Sequence, residues 1–169
     1  MSKAFTKESD ESPFDDLYPE PRDPLPPGVK NYVTPEGGEA LRTELSRLEG
    51  EVRPGAASGK GADRKRRLEA IDRRIQFYRD RVANMVVVDL DSQEQDSVRF
   101  GATVTVADGE GNEKRYRIVG VDESDPATGK ISWISPIAKA LISAKVGDVV
   151  TLELPEGSVE LEILEIEYL

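Results

Sequence analysis

The chain has 169 residues, with 33 acidic and 23 basic side chains, no cysteine and no histidine, for a net charge of −10. That composition excludes disulfides, thiolate metal sites and hydrolases of the Ser-His-Asp or Cys-His type, because the thiolate and the commonest general base are both missing. No apolar run approaches the roughly 18 residues of a membrane span and the first residues lack a signal-peptide core, so a soluble, cytoplasmic protein is expected, one domain or a small domain with an extension.

Residues 1–30 hold seven acidic groups, four basic groups and six prolines, ending in Pro24-Leu25-Pro26-Pro27-Gly28. So little apolar surface does not offset ordering entropy, and a disordered leader is expected there. A helix should follow, because Thr34 suits the N-cap, Pro35 the first helical position, and Glu36 and Glu39 the positive helix end. Its apolar positions Leu41, Leu45, Leu48 and Val52 repeat at steps of four, three and four. It should run to about Arg53, roughly 28 Å. The stretch from Arg53-Pro54-Gly55 to Gly59-Lys60-Gly61 is a poor helix former and reads as a turn. Asp63 is the expected cap of a second helix, whose seam Leu68, Ile71, Ile75, Tyr78, Val82 and Met85 again steps by three and four. Such steps mark a coiled-coil seam, and the short connector makes the pair antiparallel, so residues 31–86 are expected to form a two-helix hairpin.

Charge is unevenly spread. Residues 60–81 carry nine basic and four acidic groups, whereas residues 82–169 carry seven and seventeen. The basic surplus centres on Arg64, Lys65, Arg66 and Arg67, a candidate patch for RNA or an acidic protein wall. A solvated face with i,i+4 partners such as Glu69–Arg73 explains it equally well. An acidic protein is not expected to bind duplex DNA on its own, since phosphate contacts dominate that affinity.

After Val86-Val87-Val88 the pattern changes to period two. Strands are expected over 98–106, 115–121, 131–134, 149–154 and 159–168, with turns at 108–112, 129–130, 147–148 and 155–157. Ser135 and Pro136 supply an N-cap and first-turn proline for a short helix through Ile142. The last strand slips phase, with Val159, Leu161 and Ile163 alternating before Leu164, Ile166 and Tyr168, so a bulge at Ile163-Leu164 or two covered faces is expected. Residues 87–169 read as a compact α+β domain of about five strands wrapping one helix.

These landmarks in this order resemble the bacterial Gre transcript-cleavage factors, GreA and GreB. Thr34-x-x-Gly37-x-x-x-Leu41-x-x-Glu44-Leu45-x-x-Leu48 is similar to the opening of the first Gre helix. Ile71-Asp72-Arg73-Arg74-Ile75 resembles the second helix of GreB more than that of GreA. Further on come Phe100-Gly101-Ala102-x-Val104, Tyr116-x-Ile118-Val119-Gly120-x-Asp122-Glu123, Ile131-Ser132-x-x-Ser135-Pro136-x-Ala138-x-Ala140-Leu141 and Gly147-Asp148. The likeness covers everything but the leader.

The resemblance implies an antiparallel coiled-coil hairpin followed by a small FKBP-like domain, an antiparallel sheet wrapping a helix. It implies bacterial RNA polymerase as partner, bound through that domain while the hairpin enters the secondary channel. Ser135, Pro136 and Ile137 would then meet polymerase, although the apolar Ile134 stands where the family usually has Asp or Asn. Arg64, Lys65, Arg66 and Arg67 would match the basic patch that holds nascent RNA. Gre factors carry an Asp-x-x-Glu pair at the hairpin tip, thought to hold the second Mg²⁺ of the polymerase active site. Here that stretch is shortened by roughly a dozen residues, or ~9 Å of arm. No acid stands from Pro54 to Ala62, and Arg66 follows three after Asp63. The expectation is a regulator of elongation without cleavage stimulation and without catalytic residues, metal ligands or cofactor of its own. The alternatives are a working cleavage factor using Asp63 or Asp72, and an FKBP-like prolyl isomerase or protein-docking module built on Trp133, Phe100, Tyr116 and Tyr168.

Overall fold

The computed structural model describes residues 25–169. The expected leader therefore lies, for residues 1–24, outside the described residues. A turn at Pro26–Val29, closed by Val29 N donating to Pro26 O at 3.1 Å, leads into the short strand β1, Asn31–Val33.

Helix α1 spans Pro35–Arg47. It starts where expected: the Thr34 hydroxyl oxygen accepts from Gly37 N at 3.0 Å, an N-cap bond. The helix does not break at Arg53-Pro54. A π-helical turn, Leu48–Val52, is followed by α2, Arg53–Ala56. In a regular α-helix the Pro54 ring would press on the carbonyl of Gly50 and remove a hydrogen bond. The π turn just before it, with Arg53 N donating five residues back to Leu48 O, widens the spiral at that point. The chain then turns through Ala57–Gly61, with Gly61 at φ +93°.

Helix α3 spans Ala62–Asn84. Asp63 is thus its second residue rather than its cap, in a first turn where the helix dipole favours an acid. Strand β2, Met85–Val87, follows directly and pairs in parallel with β1, Tyr32 opposite Val86.

The remaining strands are β3 (Thr103–Ala107), β4 (Glu113–Val119), β5 (Lys130–Ser132), β6 (Val149–Leu154) and β7 (Gly157–Glu167), with helix α4, Pro136–Leu141, before β6. They form one sheet in the order β5-β4-β3-β7-β6. The β4–β5 pair is parallel, so the sheet is mixed rather than wholly antiparallel. The first of these strands begins later than periodicity indicates. Val98 exchanges backbone hydrogen bonds with the end of the α4 segment, its N donating to Ala144 O and its O accepting from Ser143 N, both at 2.8 Å. Gly101, at φ +84°, then turns the chain before Thr103.

The expected phase slip in β7 is a bulge. Thr105 pairs with Glu165 and Val106 with Ile163, which leaves Leu164 as the extra residue. Ile163 is fully buried while Leu164 is exposed.

Two compact units emerge. Thr43–Asp80 make one, and Leu25–Arg42 with Arg81–Leu169 make the other. In the first, Leu48, Ala56, Ile71 and Ile75 are buried against one another, with Leu45, Val52, Leu68 and Tyr78 packed around them. Arg53 pairs with Asp72 at 2.6 Å and Arg79 with Glu49 at 2.6 Å, so the two chain segments run antiparallel. In the second unit the core is Val98, Ala102, Val104, Val106, Ile118, Ala138, Leu141, Ala144, Leu161 and Ile163. The sheet curls so that α4 touches both of its edge strands, β5 and β6. No helix among the described residues is long and apolar enough to cross a membrane.

Candidate functional site

The turn and the first two helical turns after it carry the chemistry read from the sequence. Arg64, Lys65 and Arg66 are exposed and Arg67 is half-buried, all on α3. Lys65 reaches Glu69 one turn on, at 3.9 Å. Asp63 is exposed beside them. Asp72 lies nine residues further along α3, about 13 Å at helical rise, so the two carboxylates are not brought together. Both Asp72 oxygens face the Arg53 guanidinium, at 2.6 and 3.3 Å. This fork joins the two antiparallel segments and occupies the Asp72 carboxylate.

In the same unit Glu44 accepts from Arg47 through both oxygens at 2.9 Å and lies 3.8 Å from Arg74. The Arg47 hydrogen bonds hold its carboxyl below the usual value of 4.5, against partial burial, and the Arg47 and Arg74 charges add to the effect. Unfolded chain therefore binds more protons than folded chain between that lowered value and 4.5. The stabilisation is complete above about pH 5 and is lost as pH falls through the folded value. Thermal melting of wild type and Glu44→Gln should differ by less than about 1 kcal/mol at pH 7. The difference should vanish on acidification, and a gap that persists at pH 2 would refute the assignment.

The Ser-Pro element opens α4. The Ser135 hydroxyl oxygen accepts from Ala138 N at 3.3 Å, and its carbonyl accepts from Lys139 N at 3.0 Å. Pro136 is exposed at the first helical position, and Ile137 is half-buried against the core. Ile134 is half-buried with its N donating to the Ser132 hydroxyl at 3.4 Å. The aromatics named from sequence are only partly gathered. Tyr32 in β1 meets Trp133 edge-on at 5.1 Å and Phe100 at 6.1 Å. Tyr168 instead fastens a loop, its hydroxyl donating to Ser97 O at 2.6 Å and accepting from Arg99 N at 3.0 Å.

A group that sequence reading passed over stands between β4 and β5. A short 3₁₀ turn, Val121–Glu123, presents two adjacent acids. Asp122 faces Arg81 of α3 at 3.2 Å, both side chains only 8% exposed. The Glu123 carboxylate accepts from Thr34 N at 3.0 Å, from the Thr34 hydroxyl and from Gly120 N at 2.9 Å. Thr34 was read from sequence as a helix cap, whereas Gly37, Gly120 and Glu123 were visible only as landmarks of the resemblance. The signal available was two glycines, each three residues from a hydrogen-bonding side chain, and nothing local pairs groups 89 positions apart.

A family model described as "Transcription elongation factor, GreA/GreB, C-term" matches residues 93–168. The transcription elongation factor GreB of Neisseria meningitidis serogroup A is 47% identical over 157 residues, covering 83% of this chain and 96% of that protein. The transcription elongation factor GreA of Desulfovibrio desulfuricans is 36% identical over 153 residues, covering 80% and 93%. Among solved structures, GreA factor homolog 1 of Thermus thermophilus aligns over 82% of this chain and 99% of that one, at 26% identity and a TM-score of 0.38. The Neisseria alignment runs to 157 positions but takes in only 83% of these 169 residues, so more than a dozen of the relative's residues have no counterpart here. The chain belongs to the GreA/GreB family of transcription elongation factors.

Proposed function

We propose that this protein binds bacterial RNA polymerase at the secondary channel and modulates elongation without stimulating transcript cleavage. An FKBP-like C-terminal domain, residues 87–169, docks with Ser135, Pro136 and Ile137 at the contact. The residues of 31–86 form an antiparallel coiled-coil arm that occupies the channel entrance, with Arg64, Lys65, Arg66 and Arg67 toward the phosphates of nascent RNA. Its place of action is the cytoplasm, where polymerase works, and it carries no catalytic residue of its own.

The observation that carries this reading is the tip. From Pro54 to Ala62 there is no carboxylate, Arg66 stands three residues after Asp63, and Asp72 is engaged by Arg53. Mg²⁺ requires hard oxygen ligands in near-octahedral array, and these residues do not fit that need. The unmatched positions in the Neisseria alignment are consistent with a shortened arm. The reading as a cleavage factor using Asp63 or Asp72 is disfavoured, because Asp63 has Arg66 rather than an acid three residues on and Asp72 is held by the Arg53 fork.

Purified protein added to stalled, backtracked polymerase should bind core enzyme at micromolar or lower concentration, leave the RNA length unchanged and slow cleavage stimulated by an active GreB. Shortening of the transcript by this protein alone would overturn the non-cleaving part. Absence of binding would overturn the whole.

A further inference from the structure

We propose that the 3₁₀ turn Val121–Glu123 is a joint that grips the base of the arm, with Glu123 as its positioning residue for the action on polymerase. Its two acids reach different helices. Asp122 holds Arg81 near the end of α3, and Glu123 holds Thr34 at the start of α1. One tight turn thus fastens both helices where they leave the sheet unit.

Glu123 occupies a built socket. Its carboxylate takes two donors from Thr34 and one from its own turn, Gly120 N. Thr34 is 1% exposed, and its hydroxyl both donates to Glu123 and accepts from Gly37 N. The negative charge sits against the first turn of α1, where unsatisfied N–H groups favour an anion. Two glycines make the room. A Cβ on Gly37 would overlap the Glu123 carboxylate, and one on Gly120 would lie 2.5 Å from Tyr32 O and 2.8 Å from Glu123 Oε2.

Gly37 is the sharper probe because two effects oppose there. It lies inside α1, where alanine is favoured over glycine by helix propensity. If the carboxylate were incidental, Gly37→Ala would stabilise the fold. With Glu123 seated as a joint, the same change expels it.

The role of Glu123 in positioning rests on the proposed action on polymerase, whereas the joint itself is tested on the free protein. Gly37→Ala should lower the melting temperature by about 4 °C or more, and in a Glu123→Ala background it should leave it unchanged or raise it. Equal effects in both backgrounds would overturn the joint. Should Glu123→Ala not fold, Thr34 carries the test. Thr34→Ser keeps the hydroxyl and should match wild type, while Thr34→Val should melt early; identical behaviour of the two would also overturn it.

With polymerase, Gly37→Ala and Thr34→Val should bind core enzyme within threefold of wild type. They should need at least tenfold more protein to slow GreB-stimulated cleavage. A merely structural role would weaken both measurements together, and wild-type inhibition by either variant would overturn the positioning role. If wild type itself does not bind polymerase, the proposed function fails and the melting cycle still decides the joint.

Discussion

Asp122→Ala is expected to destabilise the sheet-bearing unit by about 3–5 kcal/mol, the penalty for removing one partner of a buried ion pair. Arg81 and Asp122 are 3.2 Å apart and each is 8% exposed, so water does little to screen the guanidinium once the carboxylate is gone. Arg81 is also tied through its backbone, its carbonyl oxygen accepting from the Asn31 amide at 3.4 Å, which hinders retreat of the side chain to solvent. Domains of this size are stable by only about 5–15 kcal/mol, so the loss is a large fraction of the total. Replacing both partners, Arg81→Met with Asp122→Leu, should recover most of it, because no charge is left buried. Glu167→Ala, which breaks an exposed pair with Arg115, should stay within about 1 kcal/mol. Urea unfolding followed by fluorescence of Trp133, the single tryptophan, measures all three. Equal effects of Asp122→Ala and Glu167→Ala would show that burial does not control the pair.

Leu48→Ala is expected to cost about 2–5 kcal/mol, borne by the unit Thr43–Asp80. Leu48 is fully buried, and among the described residues it shares its cluster of buried side chains with Ala56, Ile71 and Ile75. A packing layer so thin has few neighbours able to collapse into the cavity. The readout distinguishes the units, since Trp133 packs against the sheet core while most of α3, the longest helix, lies in the unit that holds Leu48. Circular dichroism should show the helical signal melting earlier in the variant, with the Trp133 transition unmoved. Leu45→Ala, at a half-buried position, should cost less. A shift of the Trp133 transition equal to that of the helices would contradict independent units.

Several features were legible in the sequence because they depend on near neighbours. The seam positions Leu48, Ile71 and Ile75 are buried, since the three-four step puts them on one helix face whatever lies opposite. Thr34 and Ser135 cap their helices because the cap bond spans only three residues. The phase slip at Ile163-Leu164 was readable because a period of two admits no drift, and the pairing of β3 with β7 decided that it is a bulge rather than two covered faces. The missing carboxylates of the tip are likewise a property of the sequence, independent of folding.

Tertiary structure decided the rest. Arg53–Ala56 is helical because a π turn accommodates Pro54, and Ala56 is buried because Leu48, Ile71 and Ile75 offer it a surface. Val98 is buried in a loop whose hydrogen bonds come from Ser143 and Ala144, so its alternation with later valines did not make it strand. β1 and β2 are three residues each, too short to show a period, and exist by pairing with each other. The seating of Glu123 between Gly37 and Gly120 belongs to the same class. Local propensity acts over a few residues, whereas a carboxylate takes whichever donors the completed fold brings to it. By itself, then, the sequence determined the helices, their caps and a tip without acids. The fold alone decided that Asp122 meets Arg81 and that Glu123 meets Thr34.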